Sequence, residues 1–218
     1  MDKRLDNPND YDNRMYDYSG QDMYTRAEYP IIEQWIPEGS SVIDLGCGNG
    51  SLMHYLVQRK NVHIEGIEKS DSGVDACVDK GFRVRKADID RVDTYRDIRD
   101  KQFDVAVCNV TIQMVMFPEV LFREMRRIAK YQIISFPNFA YISNRIDMAL
   151  RGRMPRPMLH GYTWYNTGHL HQLSIKDFEA LCDEEHVVIK QRIHLGSTRF
   201  LARMSGNLFS KASVFMLI

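Results

Sequence analysis

Apolar positions in this chain fall into two spacings. Short apolar runs at Ser41 to Leu45, Val62 to Ile67, Phe82 to Arg85, Phe103 to Cys108 and Tyr131 to Phe136 have the length of strands, and the Val-rich fourth run has the character of a fully buried one. Between them, apolar residues recur at helical spacing. Leu52, Met53, Leu56 and Val57 do so from about Gly50, and Val120, Leu121, Met125 and Ile128 do so between Pro118 and Lys130. Asp71 to Lys80 reads as a helix that Gly81 terminates. Ala27 to about Ile36 reads as another, with Pro30 tolerated in its first turn. Strand and helix in alternation predict a parallel sheet with helices on both faces.

After Phe136 the regular pattern breaks. Residues 137–172 hold Pro137, Pro155 and Pro157, a basic cluster (Arg145, Arg151, Arg153, Arg156) and the aromatics Tyr162, Trp164 and Tyr165. Helical order resumes at Ser174, which predicts an N-cap with Asp177 as its capping-box partner. Strands at His186 to Ile193 and about Ser213 to Ile218 are expected to form an antiparallel pair at the sheet edge. The expected fold is therefore α/β, a doubly wound, mostly parallel seven-stranded sheet with an antiparallel C-terminal strand. One domain is expected over residues 27–218, with 137–172 as an insertion in it. Residues 1–26 carry Tyr11, Tyr16, Tyr18 and Tyr24 among Asp, Asn and Arg. They read as a lid over a pocket or as a floppy tail; disordered segments are poor in aromatics, which favours the lid.

Composition narrows the possible roles. The 218 residues suit one domain with a substantial core, and 44% hydrophobic with 27% charged residues is ordinary for a globular protein. Lys and Arg balance Asp and Glu at 29 each, which argues against a general nucleic-acid binder. No apolar run is long enough for a bilayer, and Met1 to Asp6 lacks the apolar core of a secretory signal. Cys47, Cys77, Cys108 and Cys182 form no CxxC pair, which suits reduced thiols in a cytoplasmic protein better than a disulfide framework or a zinc site. The acids and histidines show no metal-ligand spacing, and no bound metal is expected.

The chemistry concentrates at Asp44-Leu45-Gly46-Cys47-Gly48-Asn49-Gly50. An apolar strand runs into an acid, three glycines on alternate positions, and a helix. Such a corner opens a ligand site at the carboxyl edge of a parallel sheet. The spacing is GxGxG, not the GxGxxG of the pyrophosphate turn. A carboxylate at its start repels a pyrophosphate and attracts an amino group. A ligand with an amino acid end, a nucleoside end and no phosphate is implied, and S-adenosylmethionine fits. Three further strand ends lie on the same edge. Glu68, about twenty residues past the turn, can accept both hydrogens of a ribose diol, or is a solvated strand-end acid. Lys69 follows it. Asp88 and Ile89 follow strand three, where Asp88 is either a ligand contact or a turn-former. Asn109 closes strand four.

Asp44 to Gly50 resembles the first motif of class I methyltransferases, D/E-x-G-x-G-x-G. That resemblance implies S-adenosylmethionine as cofactor, S-adenosylhomocysteine as product, Asp88 on the adenine amino group and Ile89 stacked on the ring. A narrower likeness lies further on. Ser135-Phe136-Pro137-Asn138, Gly152-Arg153-Met154-Pro155, Trp164-Tyr165-Asn166-Thr167, His171 and Ser174 to Cys182 resemble the methionine biosynthesis protein MetW family over about residues 31–195. The resemblance implies a methyltransferase fold and a supporting role toward a homoserine acyltransferase. Residues 1–26 depart from the family pattern and raise the expectation of catalysis on a small-molecule acceptor, a hydroxyl or carboxyl.

For that reaction the protein must align the acceptor, exclude water and take a proton. The base candidates are His171 and His169, since His titrates near neutrality, and Tyr165 with Trp164 could frame the acceptor. Equally, each His could bond backbone and each aromatic could be core. The arginine cluster could grip an acceptor anion or form a partner surface. Two functions follow, a methyltransferase or a MetW-type accessory protein. A nucleotide-dependent dehydrogenase is a third reading.

Overall fold

The computed structural model describes residues 18, 23–154, 168–196, 201 and 204–218. Its elements, in chain order, are α1 (Tyr29–Trp35), β1 (Ser41–Leu45), α2 (Ser51–Lys60), β2 (His63–Glu68), α3 (Asp71–Asp79), β3 (Arg83–Lys86), β4 (Phe103–Asn109), α4 (Pro118–Ile128), β5 (Ala129–Pro137), α5 (Ile142–Arg151), α6 (Ile175–Glu184), β6 (Ile189–Leu195), α7 (Gly206–Phe209) and β7 (Ala212–Leu217). The seven strands form one sheet in the order β3-β2-β1-β4-β5-β7-β6. The first five pair in parallel, and β7 runs antiparallel to both β5 and β6. The expected doubly wound, mostly parallel sheet with an antiparallel C-terminal strand is borne out.

Side chains on the two sheet faces build two cores. On one face Phe136 of β5 and Phe215 of β7 stack with centroids 5.7 Å apart, and Phe178 of α6 tilts against both at 4.9 and 4.8 Å. Leu121, Phe122 and Met125 of α4 close this side. On the other face Ile32 and Trp35 of α1 and Leu52 and Leu56 of α2 pack on Val42, Val105 and Val107. The capping box at Ser174 forms as expected: its hydroxyl accepts from Asp177 N, and Asp177 accepts from Ser174 N.

Two local departures appear. The β3–β4 crossover contains a single 3-10 turn, Val92–Tyr95, and no α-helix. Part of the segment expected to be irregular forms α5, whose Ile146 and Leu150 stand one turn apart on an exposed surface. Among the described residues no helix is long and apolar enough to cross a membrane.

Candidate functional site

The β1–α2 corner turns on glycine. Gly46, Gly48 and Gly50 adopt φ of 78°, 56° and 76°, a region that side chains disfavour. Gly46 N and Cys47 N both donate to Ile67 O of β2, and Gly48 N donates to Glu68 Oε2 at 2.8 Å. Space above the turn is also limiting. A Cβ on Gly48 would stand 2.9 Å from the Tyr18 hydroxyl, and one on Gly46 would stand 2.6 Å from Thr111 Cγ2. Tyr18 is tied to the start of α3 by its N–H, which donates to Ser72 Oγ at 3.0 Å. The described part of the N-terminal segment thus lies against the glycine turn; the rest of 1–26, with Tyr11 and Tyr16, is outside the described residues.

Asp44 stands beneath this corner on β1, opposite Gly66 and Val107 of the flanking strands. It is 1% exposed, and neither carboxylate oxygen has a hydrogen-bond partner. Burial, and then the charge of Glu68, push its pKa up to about 7. A buried acid without donors is costly unless a ligand supplies them. Asn49 is buried as well. Its Oδ1 accepts from Ser51 N and Ser51 Oγ at the start of α2, while its Nδ2 has no partner.

Glu68, at the last position of β2, is committed in part to the protein. Oε2 accepts from Gly48 N, and Oε1 accepts from Ser70 N at 2.9 Å and Ser70 Oγ at 2.8 Å. A carboxylate offers about four acceptor sites, so three donors leave room for one more. Lys69 pairs with Asp88 at 3.1 Å. Asp88 also takes the N–H of Asp90, so it is a turn-former as well as an ion-pair partner. Ile89 is buried in the sheet core, and its carbonyl accepts from Tyr95. Asn109 ends β4, and its Oδ1 accepts from Ser135 Oγ at 2.6 Å. The next residue, Val110, is β-branched yet takes φ 55°, a strained conformation at the carboxyl edge.

The histidines reach that same edge. Leu170 N and His171 N both donate to Gln113 O, at 2.9 and 3.0 Å, and Gln113 follows β4 on a 3-10 turn. His171 Nε2 is buried without a hydrogen-bond partner. His169 is 8% exposed and sits edge-on to Phe139 at 5.5 Å. Tyr165, Trp164, Tyr162 and Arg156 lie outside the described residues. Among the described residues no group of His, Cys, Asp or Glu is arranged to hold a metal ion.

Three supports of the turn escaped the sequence reading. They lie on one side of α3, at spacings of four and three residues. Gly73 packs on Gly48 O, Cys77 donates to Gly48 O at 3.3 Å, and the Lys80 ammonium donates to Asn49 O at 2.8 Å. The spacing was visible; its target was not. The four cysteines are free and buried, but Cys47 and Cys77, thirty positions apart in sequence, bring their sulfurs within 4.0 Å. Hydrogen bonding to Cys77, then burial, hold the Cys47 thiol well above its ordinary pKa and so keep it protonated.

Comparison with known proteins matches this architecture. The model of the family "Methionine biosynthesis protein MetW" covers residues 26–217. The "Bifunctional methionine biosynthesis protein MetXA/MetW" of Rhodopirellula baltica is 33% identical over 181 residues, 79% of this chain. The chain spans 29% of that longer protein. A crystal structure of a SAM-dependent methyltransferase from Archaeoglobus fulgidus superposes with TM-score 0.62 at 12% identity, over 87% of this chain and 93% of that one. A crystal structure of "Putative Zn-dependent Alcohol Dehydrogenases" from Rhodobacter sphaeroides reaches TM-score 0.63 at 13% identity, over 95% of this chain and 92% of that one. Likeness at such identities shows the fold, and this fold serves several chemistries. The family rests on the sequence match: the chain belongs to the methionine biosynthesis protein MetW family.

Proposed function

We propose that the chain binds S-adenosylmethionine at the β1–α2 corner and methylates a small-molecule acceptor, a hydroxyl or carboxyl, in the cytoplasm. The observation that carries the reading is Asp44, a buried carboxylate with both oxygens unpartnered at the foot of a glycine turn. An ammonium group supplies the missing donors, and the amino acid end of the cofactor carries one. The unpartnered Asn49 Nδ2 is a donor for the adjoining carboxylate. Gly46, Gly48 and Gly50 allow the left-handed turn that carries this site. Glu68 keeps one acceptor site for the ribose, and Asp88, Ile89 and Lys69 border the base. The side chains of Thr111 and Tyr18 stand against the turn and exclude water from it.

When bound, the cofactor supplies an activated sulfonium methyl. The residues of the chain orient the acceptor and handle its proton. His171 is the first candidate base, since its buried Nε2 has no hydrogen-bond partner within the protein. His169 and Tyr165 complete the set proposed around the acceptor, and Asn109 borders it from β4.

A second reading has its own support. In the Rhodopirellula relative the MetXA and MetW names belong to one protein. Here α5 leaves Ile146 and Leu150 49% and 80% exposed, with Arg151 and Arg153 beside them. A surface of that kind suits an accessory role toward a homoserine acyltransferase. Both readings require cofactor binding. Calorimetric titration with S-adenosylmethionine and S-adenosylhomocysteine tests it. Saturable binding with Kd on the order of micromolar is expected. Binding of NAD with none of either compound would instead favour the dehydrogenase reading.

A further inference from the structure

A cavity lies at the β3 edge of the sheet, and none of residues 44–50 lines it. It has a volume of about 240 Å³ and opens on the face of β1, β2 and β3 beside the β3–β4 crossover. It exists because that crossover carries only a 3-10 turn where a helix would cover the sheet. Register puts its polar residues on one face: Ile43, Glu65 and Arg83 are aligned across the three strands, as are Leu45, Ile67 and Arg85. The floor is apolar, from Ile43, Ile67, Ile98 and Phe103, all at most 6% exposed. The rim is charged and self-paired. Arg83 meets Glu65 at 3.2 Å, and Arg85 Nη1 donates to both oxygens of Asp97 at 2.7 and 3.0 Å.

Two guanidinium groups and two carboxylates cancel. A purely anionic or purely cationic ligand would pair with one set and repel the other. A zwitterion satisfies both, since its carboxylate can take the Arg85 fork while its ammonium faces Asp97. The Arg85–Asp97 pair is open to solvent, with side chains 38% and 74% exposed, so opening it sacrifices little. The Arg85 hydrogen bond also holds the Asp97 carboxyl below its ordinary range, which keeps it charged. The apolar floor calls for an apolar side chain. The volume falls below the roughly 300–1,000 Å³ of drug-sized sites, which suits an amino acid and is small for a nucleoside.

We propose that this cavity binds a free α-amino acid with an apolar side chain, at a site separate from the cofactor corner. It requires nothing of the methyl-transfer reading. L-leucine is the probe, and the titration is run with S-adenosylhomocysteine saturating the cofactor corner, because the leucine ammonium would otherwise also suit Asp44. Methyl-labelled full-length protein is titrated with it by NMR. Saturable shifts at Ile43, Ile67 and Ile98 are expected, with Kd on the order of 1 mM or tighter. L-leucinamide and N-acetyl-L-leucine, each lacking one charge, should bind at least about ten-fold more weakly. Arg85→Met and the exposed Asp97→Asn should each weaken leucine binding by a similar factor while titration with S-adenosylhomocysteine is unchanged. Asp97→Asn alters an exposed side chain and keeps the test valid should Arg85→Met fail to fold. Absence of saturation, equal binding of the blocked analogues, or unaltered affinity in Asp97→Asn would each overturn the proposal.

Discussion

At the scale of single residues, Asp44 is the most informative side chain. A carboxyl that keeps its proton up to about 7 when folded, and releases it near 4 when unfolded, takes up a proton on folding between those limits. Stability contributed by this group therefore falls as pH rises through that window. Without ligand, the chain should lose on the order of 4 kcal/mol from this source between pH 4 and 7, and Asp44→Asn should flatten the slope. Denaturant midpoints across that range check it. The motif that contains Asp44 was legible in sequence because three alternate glycines mark a strand–helix corner whose backbone is left-handed at each of them. The state of its carboxylate was not, since neither the desolvation nor the Glu68 charge can be read without the packing. Glu68 teaches the same lesson in reverse: its position at the end of β2 was foreseeable, its bonds to Gly48 and Ser70 were not.

At the scale of elements, α3 acts as a buttress for the turn. Cys77 and Lys80 bind two successive carbonyls, Gly48 O and Asn49 O, and so add to the single turn hydrogen bond within the loop, from Gly50 N to Cys47 O. Lys80→Met keeps the stem and removes the ammonium. Affinity for S-adenosylhomocysteine should fall several-fold with a change in stability of about 1 kcal/mol, measured by calorimetry and thermal melting. Strand and helix positions were largely legible from periodicity, as β1 at Ser41–Leu45 demonstrates. α5 was missed because its arginines, and the prolines that follow it, suggested irregular chain, although Ile146 and Leu150 already stood at helical spacing. Its apolar side is exposed, so the usual inference from periodicity to burial fails there.

At the scale of the whole molecule, the carboxyl edge of the sheet gathers Asp44, Glu68, Asp88 and Asn109 from four strand ends, and Gln113 holds the His169–His171 segment to the same edge. The cavity beside β3 is lined by other residues, and α5 offers an apolar and basic surface. These are separable. The double substitution Ile146→Glu with Leu150→Glu should abolish co-purification with a homoserine acyltransferase and leave cofactor affinity unchanged. If the wild-type chain fails to co-purify, the accessory reading fails; if the variant still co-purifies, only the surface is wrong.

The central claim is that the orphaned Asp44 carboxylate receives the cofactor's ammonium group. Affinity for S-adenosylmethionine, measured by titration from pH 5.5 to 8.5, tests it most directly. The ligand needs the carboxylate ionised, so binding should tighten up to about ten-fold per pH unit as pH rises toward 7 and level off above it. Asp44→Asn should bind weakly with no such slope. Equal affinity and the same pH profile in wild type and Asp44→Asn would contradict the account.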